Sequence, residues 1–288
     1  MSAHHVPAAP ESRIWLITGA SSGFGRALAD AALAAGDTVV AAVRRPAALT
    51  EYAAAHPGRL VPVALDASDP TRAAAVAAEV AERFGRIDVL VNNAGRGLIG
   101  AVEETSDAEL RDLMDLHFFG PAALVRAVLP YMRARKSGAL VQMSSMGGRM
   151  SFPGVGAYSA TKFALEGLTE ALAPEVAPHG ITCLIVEPGS FRTGFAGAAA
   201  LQHTETVLAA YEDTVGAVRR GLPDSDGSQP GDPAKAAAAV LAALDAAHPP
   251  LRLVLGNDAV DALRAAAEAS RAELDTWEPL GRAMEFDA

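Results

Sequence analysis

The chain predicts an α/β fold: a doubly wound parallel sheet of about seven strands with helices on both faces. Three observations carry this. Apolar runs of four to six residues alternate with longer Ala-rich stretches, the pattern of βα units stacked into a parallel sheet. A Gly-rich loop, Thr18 to Gly25, lies between the first such run and the first Ala-rich stretch. The 288 residues are 50% hydrophobic, enough for one large core without demanding two domains.

Each element has its own signal. Residues 14–17 give the first strand, and a helix follows from about 24 to 35, closed by Gly36 as a C-cap. Residues 38–43 are the second strand and 60–65 the third. Asp69 and Pro70 then supply an N-cap and a proline at the first helical position for a helix reaching residue 84. The fourth strand, 88–91, runs straight into Asn92-Asn93. Ser106 and Glu109 form a capping box that opens a long helix toward 132, with Leu110, Leu113, Met114 and His117 at helical spacing on one side. Strand five is 139–143, a helix covers 158–175, strand six is 182–186, and 251–255 closes the sheet. The Ala-rich segments 71–81, 234–247 and 259–269 favour helix and show no fixed repeat.

Between 194 and 235 the alternation stops, and 221–233 is rich in Gly, Pro, Asp and Ser. That composition suits either a substrate lid or an ordinary linker. Residues 1–12, Pro- and Ala-rich with His4 and His5, read as a disordered arm, which leaves 13–288 as a single domain.

A formal net charge of −10 argues against non-specific nucleic-acid binding. The one cysteine, Cys183, sits in the apolar run 181–186 and reads as a buried strand residue in a reducing compartment. No apolar stretch approaches the roughly 18 residues of a membrane span, and residues 1–12 lack the apolar core of a signal peptide, so a cytoplasmic location and no membrane partner are expected. No His/Cys cluster has metal-ligand spacing, and Ser144-Ser145 lacks the preceding glycine of a nucleophile elbow, so no metal and no second nucleophile system are expected.

The loop Thr18-Gly19-Ala20-Ser21-Ser22-Gly23-Phe24-Gly25 follows a strand and opens a helix, the context a dinucleotide-binding loop requires. Glycines let the backbone approach a pyrophosphate, whose charge then faces the helix N-terminus. At the end of strand two an acidic residue would grip the ribose hydroxyls of NAD, yet the sequence there is Ala41-Ala42-Val43-Arg44-Arg45. A guanidinium matches phosphate bidentately, so Arg44 points to the 2′-phosphate of NADP, with NAD the less favoured cofactor.

Tyr158 and Lys162 stand at i and i+4, on one face of a helix, where an ammonium can lower a phenol pKa of about 10 and ready it for proton exchange with an alcohol or carbonyl oxygen. Ser145 lies thirteen positions before Tyr158. In order, the Gly loop, Asn92-Asn93-Ala94-Gly95, Ser145, Tyr158-Ser159-Ala160-Thr161-Lys162 and Pro188-Gly189 resemble the short-chain dehydrogenase/reductase family, in its short single-domain branch with a Rossmann-type fold.

The resemblance implies that Lys162 holds the nicotinamide ribose and tunes Tyr158, that Ser145 rather than Ser144 bonds the substrate oxygen, and that Tyr158 donates the proton as hydride arrives. It implies that Asp66 holds adenine and that Asn93 lies by the cofactor ribose and steadies the central strand, although both also suit plain turns. By the same resemblance Phe191 and Thr193, in a PGxxxT-like turn, bind the nicotinamide carboxamide, and Ser21 or Ser22 assists Arg44. Where the family carries an asparagine in a proton relay, this chain has His117, which suits either a relay or a satisfied core position. The implied activity is NADP(H)-dependent interconversion of a ketone or aldehyde and its alcohol. Met146, Met150, Phe152, Phe191 and Phe195 suggest an apolar small-molecule substrate. The alternative is an NADP-binding redox sensor or scaffold without turnover. The two long helices resemble those that pair across subunits in the family, implying a homodimer or homotetramer.

Overall fold

The computed structural model describes residues 12–286, so the arm expected over 1–12, with His4 and His5, lies outside the described residues apart from Ser12. Nine strands follow in chain order: β1 (Ile14–Thr18), β2 (Thr38–Val43), β3 (Leu60–Ala64), β4 (Val89–Asn92), β5 (Gly97–Ile99), β6 (Gly138–Met143), β7 (Ile181–Pro188), β8 (Leu201–His203) and β9 (Arg252–Leu255). Seven of them form one parallel sheet in the order β3-β2-β1-β4-β6-β7-β9, the predicted doubly wound architecture. The register sets Leu16 opposite Val40 on one side and Leu90 on the other. The helices are α1 (Gly23–Ala34), α2 (Thr50–Ala55), α3 (Ala73–Phe84), α4 (Asp107–Met114), α5 (Gly120–Arg135), α6 (Gly156–Val176), α7 (Glu212–Asp224), α8 (Pro233–Leu244) and α9 (Asn257–Arg282).

Period-two alternation divides the sheet residues between two cores. Leu16, Val40, Leu90, Leu140 and Cys183 face α3, α5 and α6, while Trp15, Ile17, Val91, Val141 and Leu184 face α1 and α8. Each fully buried Leu or Ile contributes about 1.5–3 kcal/mol. Gly36, at φ 92°, turns the chain out of α1, with its N–H on Leu33 O and that of Asp37 on Ala32 O.

Three local readings change. Asp69 caps a short 3-10 turn, Pro70–Arg72, that leads into α3, its carboxylate drawn onto the N–H and hydroxyl of Thr71 two residues on. The helix opened by the Ser106/Glu109 box is split into α4 and α5 by one π-helical turn, Asp115–Phe119, and π-turns inside helices often mark functional sites. The stretch Asp107–Arg135 is also long and apolar enough to cross a membrane by length and composition, contrary to the sequence reading. Half of its most apolar 18-residue window is buried in the fold, and Leu113, Leu124, Val128 and Met132 pack in the interior.

The region 194–235 contains two elements with little sequence signal. β8 pairs with β5 as a two-stranded sheet, and α7 packs Val215 against Ile99, Ala101 and Leu201. Carboxylates fasten this unit to α4 and to the segment before it. Glu104 accepts from the Leu208 N–H (2.8 Å) and pairs with Arg219 (2.5 Å), Glu109 accepts from the Glu205 N–H (2.9 Å), and Tyr211 donates to Glu103.

Candidate active site

The strand order reverses between β1 and β4, so the loops leaving them open a crevice at the carboxyl edge of the sheet, where doubly wound folds bind ligands. The Gly loop leaves β1 there, and Asn93-Ala94-Gly95 leaves β4. Thr18 Oγ1 accepts from the N–H groups of Asn93 (2.9 Å) and Ala94 (3.0 Å), and Asn93 Nδ2 donates to Thr18 O (2.9 Å). Asn93 thereby ties the two strand ends together. Gly19 and Gly23 have φ of 67° and 54°. At Gly25 a Cβ would stand 2.4 Å from both Asn93 Nδ2 and Gly19 O, so only glycine lets α1 start this close to β4. Ser22 caps α1 without using its hydroxyl, and Ser21 and Ser22 are exposed. This bare helix N-terminus fits a dinucleotide pyrophosphate.

Arg44 is exposed just past β2, next to the strand that leads to Asp66. The Ser68 hydroxyl (2.7 Å) and N–H (3.0 Å) both bond Asp66 Oδ1 and lower its pKa, and the charges of Arg44 and Arg96 act in the same direction. Asp66 thus stands in an Asx turn beside a cationic corner that fits a phosphate. Phe191 packs its ring 5.1 Å from that of Phe24. Thr193 O lies 3.1 Å from the place of a Gly23 Cβ, which sets the turn after β7 against the Gly loop.

Ser145 follows β6, and Tyr158 and Lys162 occupy the first two turns of α6, so the strand end and the helix bring the three together. Ser145 Oγ accepts from the Gly147 N–H (3.0 Å) and stands near enough to the Tyr158 phenol to act on its pKa. Lys162 Nζ donates to Met143 O (2.8 Å) and lies 5.6 Å from the Tyr158 ring centroid. Phe195 covers the phenol ring at 5.7 Å. Met146, Met150 and Phe195 are half-buried, whereas Phe152 is exposed and Phe191 belongs to the Gly-loop side. Burial pushes the Tyr158 phenol up to about 12, and the neighbouring Ser145 hydroxyl offsets only part of that. Burial pushes Lys162 down to about 8, opposed by the charge of Glu166. The expected lowering of the phenol pKa by Lys162 is not found in the protein alone, where burial raises it and Ser145 is what acts against the rise.

His117 sits in the π-turn, 1% exposed. Its Nε2 accepts from the Arg96 N–H (3.1 Å), which leaves the proton on Nδ1, and Nδ1 donates to Thr161 Oγ1 (2.9 Å). The Thr161 hydroxyl in turn donates to Tyr158 O (2.8 Å), and the imidazole meets the Tyr158 ring edge-on at 5.6 Å. Burial, then the charges of Lys162 and Arg96, hold the imidazole well below its usual 6.5 and therefore neutral. Both ring nitrogens are taken by protein groups. Thr161, the link to Tyr158, carried no signal beyond its place in the YSATK run.

Behind Lys162 lies a buried charged layer that sequence reasoning missed. Glu166 Oε1 accepts from Ser144 Oγ (2.6 Å), which places Ser144 in this layer. Arg252 Nε lies 3.3 Å from Glu166 and 3.2 Å from Glu187, and Arg149 reaches Glu187 at 3.6 Å. Neither Glu187 oxygen has a well-formed hydrogen bond. Burial first, then the Glu166 charge, push Glu187 up to about 7, against the pull of Arg149 and Arg252. A carboxyl raised above its unfolded value of about 4.3 binds more protons when folded, so its stability contribution is full below that pH and is lost as pH rises through about 7. Glu187→Gln is expected to flatten the fall in thermal midpoint between about pH 5 and 8 by removing this titration. Melting curves with the same slope in both proteins would assign the fall to other groups.

Comparison with known proteins follows the same lines. A family model described as short chain dehydrogenase matches residues 13–203. Oxidoreductase BOA17 of Botryotinia fuckeliana is 41% identical over 273 residues, covering 94% of this chain and 99% of that protein. The crystal structure of a short-chain dehydrogenase from Streptomyces avermitilis is 56% identical with a TM-score of 0.91, covering 96% of this chain and 100% of its own. Two more distant structures carry cofactors: one from Burkholderia phymatum in complex with NAD (26% identity, TM-score 0.79, 91% and 95% covered) and one from Burkholderia cenocepacia in complex with NADP (27%, 0.72, 92% and 97%). The chain belongs to the short-chain dehydrogenase/reductase family of oxidoreductases.

Proposed function

We propose that this oxidoreductase uses NADP(H) to interconvert a ketone or aldehyde and its alcohol on a largely apolar small molecule. One observation carries the reading: Ser145, Tyr158 and Lys162 converge beside the Gly-loop crevice, with Lys162 Nζ 5.6 Å from the phenol ring centroid and Phe195 covering that ring. The nicotinamide cofactor supplies or accepts the hydride. Thr18 to Gly25, Asp66, Asn93, Phe191 and Thr193 would hold it, with Arg44 at the 2′-phosphate, and Lys162, now on Met143 O, would serve its ribose. Ser145 orients the carbonyl oxygen, and Tyr158, a neutral phenol, donates the proton to it. His117 serves as a positioning residue that fixes the Tyr158 backbone through Thr161.

The β8–α7 unit is read as the substrate lid. Its polar clasps through Glu104, Glu109 and Glu103 can open without breaking the main sheet. Phe119 on the π-turn and Phe163 on α6, 48% and 45% exposed, support subunit pairing through α5 and α6, and the buried Cys183 supports a cytoplasmic setting. The test is NADPH consumption across a panel of ketones and aldehydes, paired with NADP reduction by the matching alcohols. Turnover of apolar carbonyls is the expected result, and nucleotide binding with no turnover in either direction would overturn the reading.

A further inference from the structure

α9 buries only its beginning. Ala259 and Leu263 pack on the body, whereas every described residue from 267 onward is exposed. The stripe that docks the helix does not stop there. Leu263, Ala267, Ser270, Leu274, Trp277, Gly281 and Met284 recur at alternating intervals of four and three, the a/d seam of a coiled coil. Leu274, Trp277 and Met284 are 68%, 61% and 70% exposed, and Leu280 widens the stripe beside Trp277. The seam runs from a groove shared with Arg149 out beyond the body, and an apolar stripe left this exposed among the described residues calls for a partner.

Charge identifies which partner. With Leu274 at a and Trp277 at d, the e positions are Arg264, Arg271, Glu278 and, just past the helix end, Glu285. Antiparallel pairing of identical helices brings e against e. Setting Leu274 against the partner's Trp277 then places Arg271 beside the partner's Glu278 and Arg264 beside the partner's Glu285, in one register. Parallel pairing brings g against e and would oppose Glu273 to the partner's Glu278, two like charges. Among the described residues of the same chain, Arg282 competes for Glu278, through an exposed i,i+4 pair of the weakest kind.

We propose that α9 pairs antiparallel with α9 of a second copy of this chain, through a two-fold Leu274–Trp277 seam bordered by Arg–Glu pairs. This contact is separate from the α5/α6 faces and independent of the reaction proposed above. A two-fold axis makes the surface self-complementary, so each charge appears twice.

The test uses three full-length proteins in sedimentation velocity at micromolar concentration: wild type, Arg264→Glu/Arg271→Glu and Glu278→Arg/Glu285→Arg. Each variant should lose one association step and sediment at half the wild-type mass, with unchanged helicity and nucleotide binding. An equimolar mixture of the two should recover the wild-type mass, because an all-acidic edge then faces an all-basic one. Variants that sediment like wild type, or a mixture that fails to recover its mass, would overturn the proposal. The second outcome would indicate that the stripe receives a different protein.

Discussion

Replacing Tyr158 by Phe is expected to lower kcat for carbonyl reduction by about 10²–10⁴-fold, the usual worth of a positioned general acid, with NADPH affinity nearly unchanged. The ring would keep its contacts with His117 and Phe195, so only the transferable proton is removed. The high phenol pKa matters to this result, because it keeps Tyr158 protonated across the pH range of an assay. Lys162 behaves differently. At about 8 it is an ammonium below that pH and neutral above it, so wild-type reduction should decline on the alkaline side as this charge is lost from the ribose site. Single-turnover rates and NADPH titrations over a pH series separate the two effects. A Tyr158→Phe enzyme that still reduces its carbonyl at a tenth or more of the wild-type rate would assign proton donation to another group.

What the sequence made legible was whatever depends on short-range pattern. Alternating strands, the cap at Gly36, the Ser106/Glu109 box and the Gly loop are each settled within a few residues, and the structure has them all. The grouping of Ser145, Tyr158 and Lys162 was legible because a strand end and an i,i+4 spacing suffice to bring them together. Long-range arrangements were not. Glu166, Glu187 and Arg252 meet only because β7 and β9 pair beneath α6, and no local pattern joins residues that far apart. The three-residue strands β5 and β8 carry too few side chains for alternation to show. His117 could be placed on the inner helix face, but its two bonds depend on the π-turn and on Thr161 arriving from α6. The sign of the Tyr158 shift likewise turned on burial, which spacing alone does not report.

Arg44→Asp is expected to weaken NADPH binding by roughly 10- to 150-fold, from loss of a charge-assisted hydrogen bond of about 1.5–3 kcal/mol, while NADH binding holds or improves. The lower part of that range is the better guide, because Arg44 is exposed and its interactions are screened by solvent. The new carboxylate would face the site from the strand end where it can accept from ribose hydroxyls, and it would repel a 2′-phosphate. Its neighbourhood shifts in the same direction. Asp66 now lies under the positive charges of Arg44 and Arg96, and reversing one of them leaves two carboxylates close together with Arg96 as the remaining cation. Dissociation constants for the two nucleotides, measured at two salt concentrations, give the selectivity ratio and its electrostatic part. An NADPH/NADH ratio equal to that of the wild type would remove Arg44 from the phosphate site and leave cofactor choice to the Gly loop and its serines.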